Sequence, residues 1–252
     1  MSDSYSSERV LREYLLFHYG TAEEILSLAL GPSDGLGFAE RTVSELLDTS
    51  DDSLSQGSAL DLGCAVGRST FELARHCGKV TGVDFSSKFI RAAEILREKG
   101  QVSYDYVTHG ERVISAIARI PEGVDSSVVN FLSCDVCSLP ENLGNLDVVH
   151  AANLICRLSA PGSFLERLPE LVRPGGQLLL ATPFTWLEEF TSRDEWLGGR
   201  RDGPASAFAL KVSLESAFRL EKEINLPFLL REHRWFSPPC FQSELYPQPS
   251  KR

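Results

Sequence analysis

The chain has 252 residues, 42% hydrophobic and 24% charged, which suits one sizeable α/β core and excludes a disordered chain, a collagen-like repeat and a coiled coil. Its 25 Lys and Arg against 35 Asp and Glu give a net charge of −10. It therefore lacks the basic face that phosphates require, and no nucleic-acid or anionic-membrane partner is expected. No apolar run approaches the roughly 18 residues of a membrane helix, and the opening MSDSYSSERV is polar rather than signal-like. Six cysteines, most of them in apolar segments, complete the expectation of a cytoplasmic protein with free thiols.

Residues 1–48 read as a helical cap before a core spanning 49–252. Ser7 can cap a first helix, with Gly20 suited to its C′ position. Thr21 and Glu24 then form a T-x-x-E capping box, and a third helix is predicted over 38–47. After the polar connector 48–58 the pattern alternates. Strands are predicted over 59–62, 80–83, 128–133, 146–151 and 177–182, with helices over 69–76, 88–99 and 162–171. Residues 104–109 suggest an extra strand, 205–218 a helix, and 220–226 and 228–235 two closing strands. The expected class is α/β, a Rossmann-like, seven-stranded, mostly parallel sheet with helices on both faces.

The chemistry concentrates in Ala59-Leu60-Asp61-Leu62-Gly63-Cys64-Ala65-Val66-Gly67-Arg68-Ser69. An apolar strand ends in a small-residue turn and a helix begins at once, presenting backbone N–H groups to a ligand at the carboxyl edge of a sheet. The second strand ends in Asp84, followed by Phe85, where a carboxylate can accept from both ribose hydroxyls. A dinucleotide fold needs G-x-G-x-x-G, but from Gly63 this chain offers Gly63, Ala65 and Arg68. Read instead as D-x-G-x-G-x-G, the segment gives Asp61, Gly63, Ala65 and Gly67 and resembles motif I of S-adenosylmethionine-dependent methyltransferases.

That resemblance implies S-adenosylmethionine as cofactor, with Gly63, Cys64, Ala65, Gly67, Arg68 and Ser69 forming its turn and Asp61 helping to hold the methionine ammonium. By the same resemblance Cys134, Asp135 and Val136 flank the adenine, Ala152 and Asn153 close the methyl end, and Pro174-Gly175-Gly176 makes the turn before the fifth strand. Cys134 and Cys137 form one C-x-x-C with neither a second pair nor a neighbouring His pair, which favours packing over zinc or redox chemistry. No metal is expected.

The strings EYLLFHYG (13–20), AANLICRL (151–158), TPFTWLEEFT (182–191), EWLGG (195–199) and PFLLREH (227–233) narrow the resemblance to the 4-mercaptohistidine N1-methyltransferases of ovothiol biosynthesis. This covers roughly residues 8–235; the tail RWFSPPCFQSELYPQPSKR departs from the family. The resemblance implies methyl transfer to an imidazole nitrogen of 5-thiohistidine, giving ovothiol A. The chain has no H-x-x-x-H-x-E string, so the earlier C–S bond-forming step falls to an iron-dependent sulfoxide synthase on another chain, a possible partner. Methyl transfer to another small O, S or N acceptor, and a non-catalytic cofactor-binding partner of the synthase, are the alternatives.

Location supplies the acceptor-side candidates. Asn153, just past the fourth strand, can orient the imidazole. Arg157 can meet the substrate carboxylate bidentately, sit near the thiolate, or stand as a solvated helix arginine. Thr185, Trp186, Glu188 and Glu189 follow the fifth strand, Trp186 offering a flat wall and either Glu an ammonium partner, unless they only begin an acidic helix. On the first helix Tyr14 and His18 share a face and Tyr19 is rotated from it. His18, with an ordinary pKa near neutrality, is a candidate base or thiolate partner, and Tyr14 joins it as a catalytic candidate, unless these rings simply pack the helix. His233 completes the set.

Overall fold

The computed structural model describes residues 7–26, 32–140 and 143–231. Helix α1 (Glu8–Tyr19) starts where the Ser7 hydroxyl accepts from Val10 N. It stops at Gly20, whose φ of −64° is not left-handed. Glycine is required there by space: a Cβ would lie 2.5 Å from Leu16 O. The Thr21–Glu24 capping box forms in full and opens the short α2 (Ala22–Ile25). Helix α3 (Phe38–Ser44) is three residues shorter than its predicted span.

A five-stranded, all-parallel sheet follows, built from β1 (Ser58–Leu62), β2 (Lys79–Asp84), β5 (Val129–Ser133), β6 (Leu146–Ala152) and β7 (Val172–Ala181). The spatial order is β5-β2-β1-β6-β7. The chain winds outward from β1 in one direction and returns to β6 on its other side, so the switch point of a doubly wound fold falls at the carboxyl ends of β1 and β6. Helices α4 (Arg68–Leu73), α5 (Ser87–Lys99) and α6 (Pro161–Leu171) make the crossovers. Pro174-Gly175-Gly176 is a bulge inside β7: Leu146 pairs with Val172 and Val148 with Gln177, leaving the intervening turn outside the ladder.

Two faces of the sheet are packed. Ala59, Val80, Val148 and Leu179 meet Val43 of α3 and Leu73 of α4. Leu60, Leu62, Val149 and Ala151 meet Phe164, Leu165 and Leu168 of α6, against which Leu210 and Leu214 of α7 (Ser206–Leu214) also pack. A third cluster joins Phe71, Phe89 and Leu96 to Leu15 and Leu16 of α1. Phe71 is fully buried, so its truncation to Ala should cost about 3–5 kcal/mol.

The expectation of seven strands in one sheet is corrected. Residues 101–119 form a separate antiparallel hairpin, β3 (Gln101–His109) and β4 (Arg112–Arg119), turned by Gly110 at φ +56°. Its Tyr104, Tyr106, Ala116 and Ala118 pack on α1 and α5 rather than extending the sheet. Residues 220–226 and 228–231 form no strand. The charged run Glu221-Lys222-Glu223 and Pro227 break the period-2 pattern, and Leu229 N instead donates to Gly35 O. The remainder of the predicted final strand lies outside the described residues. Among the described residues the cysteines are free, no three His, Cys, Asp or Glu side chains group as a metal site, and no helix is long and apolar enough to cross a membrane.

Candidate active site

At the end of β1, Gly63 N and Cys64 N both donate to Val83 O, folding the turn over the end of β2. Gly63, Ala65 and Gly67 are all left-handed, at φ +72°, +48° and +86°. Ala65 takes that conformation against an intrinsic penalty of about 1–2 kcal/mol, and its N–H donates to Asp84 Oδ2 at 3.0 Å. Gly67 is fixed by space as well as φ, because a Cβ would lie 2.7 Å from the Phe131 ring.

Asp84 is 7% exposed and accepts a second backbone bond from Ser86 N at 2.8 Å. Burial, reinforced by the charge of Asp61, pushes its carboxyl up to about 6 despite these two bonds. A buried strand-end carboxylate on a cavity wall fits the expected diol partner.

Asp61 is set back from the cavity. It is 1% exposed, does not line the cavity, and its oxygens accept from Ser69 Oγ (2.7 Å), Thr70 Oγ1 (2.6 Å) and the His150 ring (2.7 Å). Burial alone would raise it, but His150 and these hydrogen bonds hold it below the usual carboxylate range. It braces the turn from beneath.

Beside the turn lies a cavity of about 230 Å³. One end is lined by Gly63, Ala65, Ser69, Asp84 and Phe85, with Asp135 and Val136 at one side and Ala152 and Asn153 beyond. Four other predicted cofactor residues lie behind this wall. Cys64 is buried, Gly67 faces Phe131, Arg68 pairs with Glu40 and Glu72, and the Cys134 thiol turns to the carbonyls of Asp135 and Ser138. Their contribution is backbone shape.

Tyr14, His18, Asn153, Arg157 and Thr185 line the other end of the cavity. Asn153 sits at φ +54° with its N–H bonded to Ala181 O and its buried Oδ1 without a partner. Arg157 donates to Thr185 O, Thr185 Oγ1 and Cys156 O, and lies 5.0 Å from the Phe190 ring centre. None of these partners is a carboxylate.

Other predictions for this end are corrected. Tyr19 does not line the cavity; its hydroxyl donates to Val66 O at 2.8 Å, clamping α1 to the turn. Trp186 Nε1 donates to Ser206 Oγ, and its ring stacks on Trp196. Glu188 and Glu189 are exposed and away from the cavity. His18 is not poised near neutrality: burial, with Arg68 adding to it and Asp61 opposing, drives its pKa down to about 3. It is a neutral imidazole with an unpartnered, buried Nδ1, a weak base and no cation for a thiolate. His233 lies outside the described residues.

Sequence reasoning missed His150 and the aromatic wall of Phe17, Phe38, Phe89, Phe190 and Phe228. Phe17, Phe38 and Phe228 contact one another at centroid distances of 5.0–6.2 Å. Only Phe17 had a signal, since it shares the Tyr14–His18 face of α1 at helical spacing.

Residues 60–178 match the family model described as a methyltransferase domain. The chain is 26% identical over 123 residues to a ubiquinone biosynthesis O-methyltransferase of Bradyrhizobium sp., covering 49% of this chain and 38% of that protein. It is 24% identical over 123 residues to the Coxiella burnetii protein of the same name, covering 49% and 42%. The chain thus spans less than half the length of these curated relatives. Among solved structures it is similar to a Haemonchus contortus phosphoethanolamine N-methyltransferase in complex with phosphoethanolamine and S-adenosylhomocysteine, at 18% identity and TM-score 0.45, covering 76% of this chain and 34% of that one. Over residues 60–178 the chain is thus similar to methyltransferase domains.

Proposed function

We propose that the chain transfers a methyl group from S-adenosylmethionine to an imidazole nitrogen of 5-thiohistidine, giving ovothiol A. The observation that carries this reading is Arg157: a guanidinium on the acceptor end of the cavity, with no carboxylate among its partners in the described residues. Such a group fits the carboxylate of an amino-acid acceptor. The family strings around Arg157 and along α1 support the same acceptor.

Asp84 would hold the ribose hydroxyls and Asp135 the adenine amino group, with Phe85 and Val136 beside them. The cofactor, when bound, supplies an electrophilic sulfonium methyl. The rest of the work is alignment, which can contribute several kcal/mol when the reacting atoms are held in line. Tyr14, Phe17, Phe38 and Phe228 wall the space for a flat ring. The free Asn153 Oδ1 can accept an N–H from that ring and so point its other nitrogen at the methyl. Neutral His18 offers a hydrogen bond without charge. The 5-thiohistidine itself would come from a separate iron-dependent sulfoxide synthase.

Mass spectrometry of 5-thiohistidine incubated with the protein and S-adenosylmethionine, with fragmentation to locate the methyl, tests the assignment. Methyl on a ring nitrogen is expected; methyl on sulfur, or no product with cofactor bound, overturns it. One observation favours a different small acceptor: Asp84 and Asp135 are the carboxylates lining the cavity, and neither Glu188 nor Glu189 is there to meet an amino-acid ammonium. Turnover of an aromatic carboxylate lacking the ammonium, in preference to 5-thiohistidine, would establish that second reading.

A further inference from the structure

His150 lies on β6 directly across the ladder from Asp61 on β1, is 1% exposed, and borders the cavity. Its ring nitrogens reach opposite ways, Nδ1 to Asp61 Oδ1 at 2.7 Å and Nε2 to Thr42 Oγ1 at 3.0 Å. An ionised carboxylate only accepts, so the ring donates the Nδ1 bond to Asp61, and Nε2 shares the second bond with the Thr42 hydroxyl.

Beyond Asp61 the chain of bonds continues to Ser69 Oγ and Thr70 Oγ1 at the start of α4. One buried path therefore runs from Ser69, which lines the cofactor end, through Asp61 and His150 to Thr42 on α3. That helix carries Phe38 and Ala39 into the acceptor end. Few side chains could replace the imidazole here. A Gln amide can stand in for Nε2 but leaves nothing at the Nδ1 position that faces Asp61, and a Phe bonds to neither partner. Helices α3 and α4 also share the apolar cluster of Val43 and Leu73, and their ion pair, Arg68–Glu40, is solvent-facing at Glu40, where ion pairs contribute little.

We propose that His150 is a positioning residue that couples the two ends of the cavity: filling the cofactor end fixes Ser69 and Asp61, and His150 passes that constraint to Thr42, ordering the acceptor wall on α3. The inference rests on the cofactor assignment and is independent of which acceptor is used.

Backbone hydrogen exchange of the full chain, with S-adenosylhomocysteine as the probe, tests it. In the wild type the probe should slow exchange in both α4 and α3. In Thr42→Val, which keeps the side-chain shape but removes the hydroxyl, and in His150→Gln, slowing in α4 should persist while slowing in α3 falls at least about fivefold, the lower range of measured site–site couplings. Glu40→Gln should leave the α3 response in place. A merely structural His150 would lower protection with and without the probe alike and leave the probe's effect intact. Equal probe-induced slowing of α3 in wild type and Thr42→Val overturns the proposal even if His150→Gln fails to fold, and so does an α3 that never responds in the wild type. Failure of the probe to slow exchange anywhere removes the cofactor assignment together with the coupling.

Discussion

Lowering the pH from 7 to 5 should weaken binding of S-adenosylhomocysteine about tenfold, because Asp84, the proposed partner of the ribose, is itself titrating. Asp84 is held up at about 6 by burial, so it is roughly nine-tenths ionised at pH 7 and one-tenth at pH 5. Only the carboxylate can accept from two hydroxyls while keeping its bonds from Ala65 N and Ser86 N. Apparent affinity then scales with the ionised fraction. Of the other buried groups at hand, His18 is held near 3 and Asp61 stays below the usual carboxylate range. The folded pKa of Asp84 lies above its unfolded value of 3.8, so the native state binds this proton more tightly. Its contribution to stability is full below pH 3.8 and is lost as the pH rises through about 6, up to about 3 kcal/mol. Asp84→Asn should abolish both dependences. It should also bind the probe about 10–100-fold more weakly at pH 7, since one amide cannot replace a carboxylate toward two donors. Isothermal titration calorimetry from pH 5 to 7.5 reads the effect; a flat affinity in the wild type would refute the placement of the ribose on Asp84.

Three further substitutions separate cavity residues from scaffold. Arg157→Ala should raise KM for a carboxylate-bearing acceptor about 10–100-fold while kcat moves little, with Arg157→Lys only a partial rescue, because a point charge does not reproduce the planar fork; steady-state kinetics decides, and an unchanged KM removes Arg157 from the acceptor site. Trp186→Phe loses the indole bond to Ser206, worth about 1 kcal/mol, and should lower Tm by about 2–4 °C without changing acceptor KM; a raised KM would return Trp186 to the cavity. Gly67→Ala must adopt φ +86° and place a Cβ 2.7 Å from Phe131, so urea unfolding should show a loss of about 2–5 kcal/mol. A loss below about 0.5 kcal/mol would show that the turn relaxes freely.

The parallel strands and the cofactor turn were legible because their signals are local: period-2 apolar runs, small residues at left-handed positions, an acid ending a strand. What escaped depends on partners distant in sequence. Nothing in 101–119 states that its strands pair with each other and pack on α1 instead of joining the sheet. Leu220 to Leu226 looked apolar enough for a strand but is interrupted by charges, and a sheet edge gained little from it. Likewise the acceptor wall draws Phe17 from α1, Phe38 from α3 and Phe228 from the far end of the described chain, a convergence without a sequence spacing. Trp186 misled for the same reason: its ring face is stacked on Trp196 and its N–H bonded to Ser206, partners that no local spacing announces.

The two strand-end carboxylates show how one turn separates scaffold from ligand chemistry. Asp61 and Asp84 are both buried, yet their environments push them apart, the first below its ordinary range and the second up to about 6. The difference lies in the donors. Asp61 receives two hydroxyls and an imidazole, a set that compensates its charge without any ligand. Asp84 receives two backbone N–H groups, and its deficit of donors faces the cavity. A diol supplies the missing pair. Binding should therefore draw the Asp84 pKa downward and release a proton near pH 6, so calorimetry at that pH in buffers of different ionisation enthalpy should show proton release on adding S-adenosylhomocysteine. Proton uptake, or none, would mean that the deficit is met by something other than the ribose.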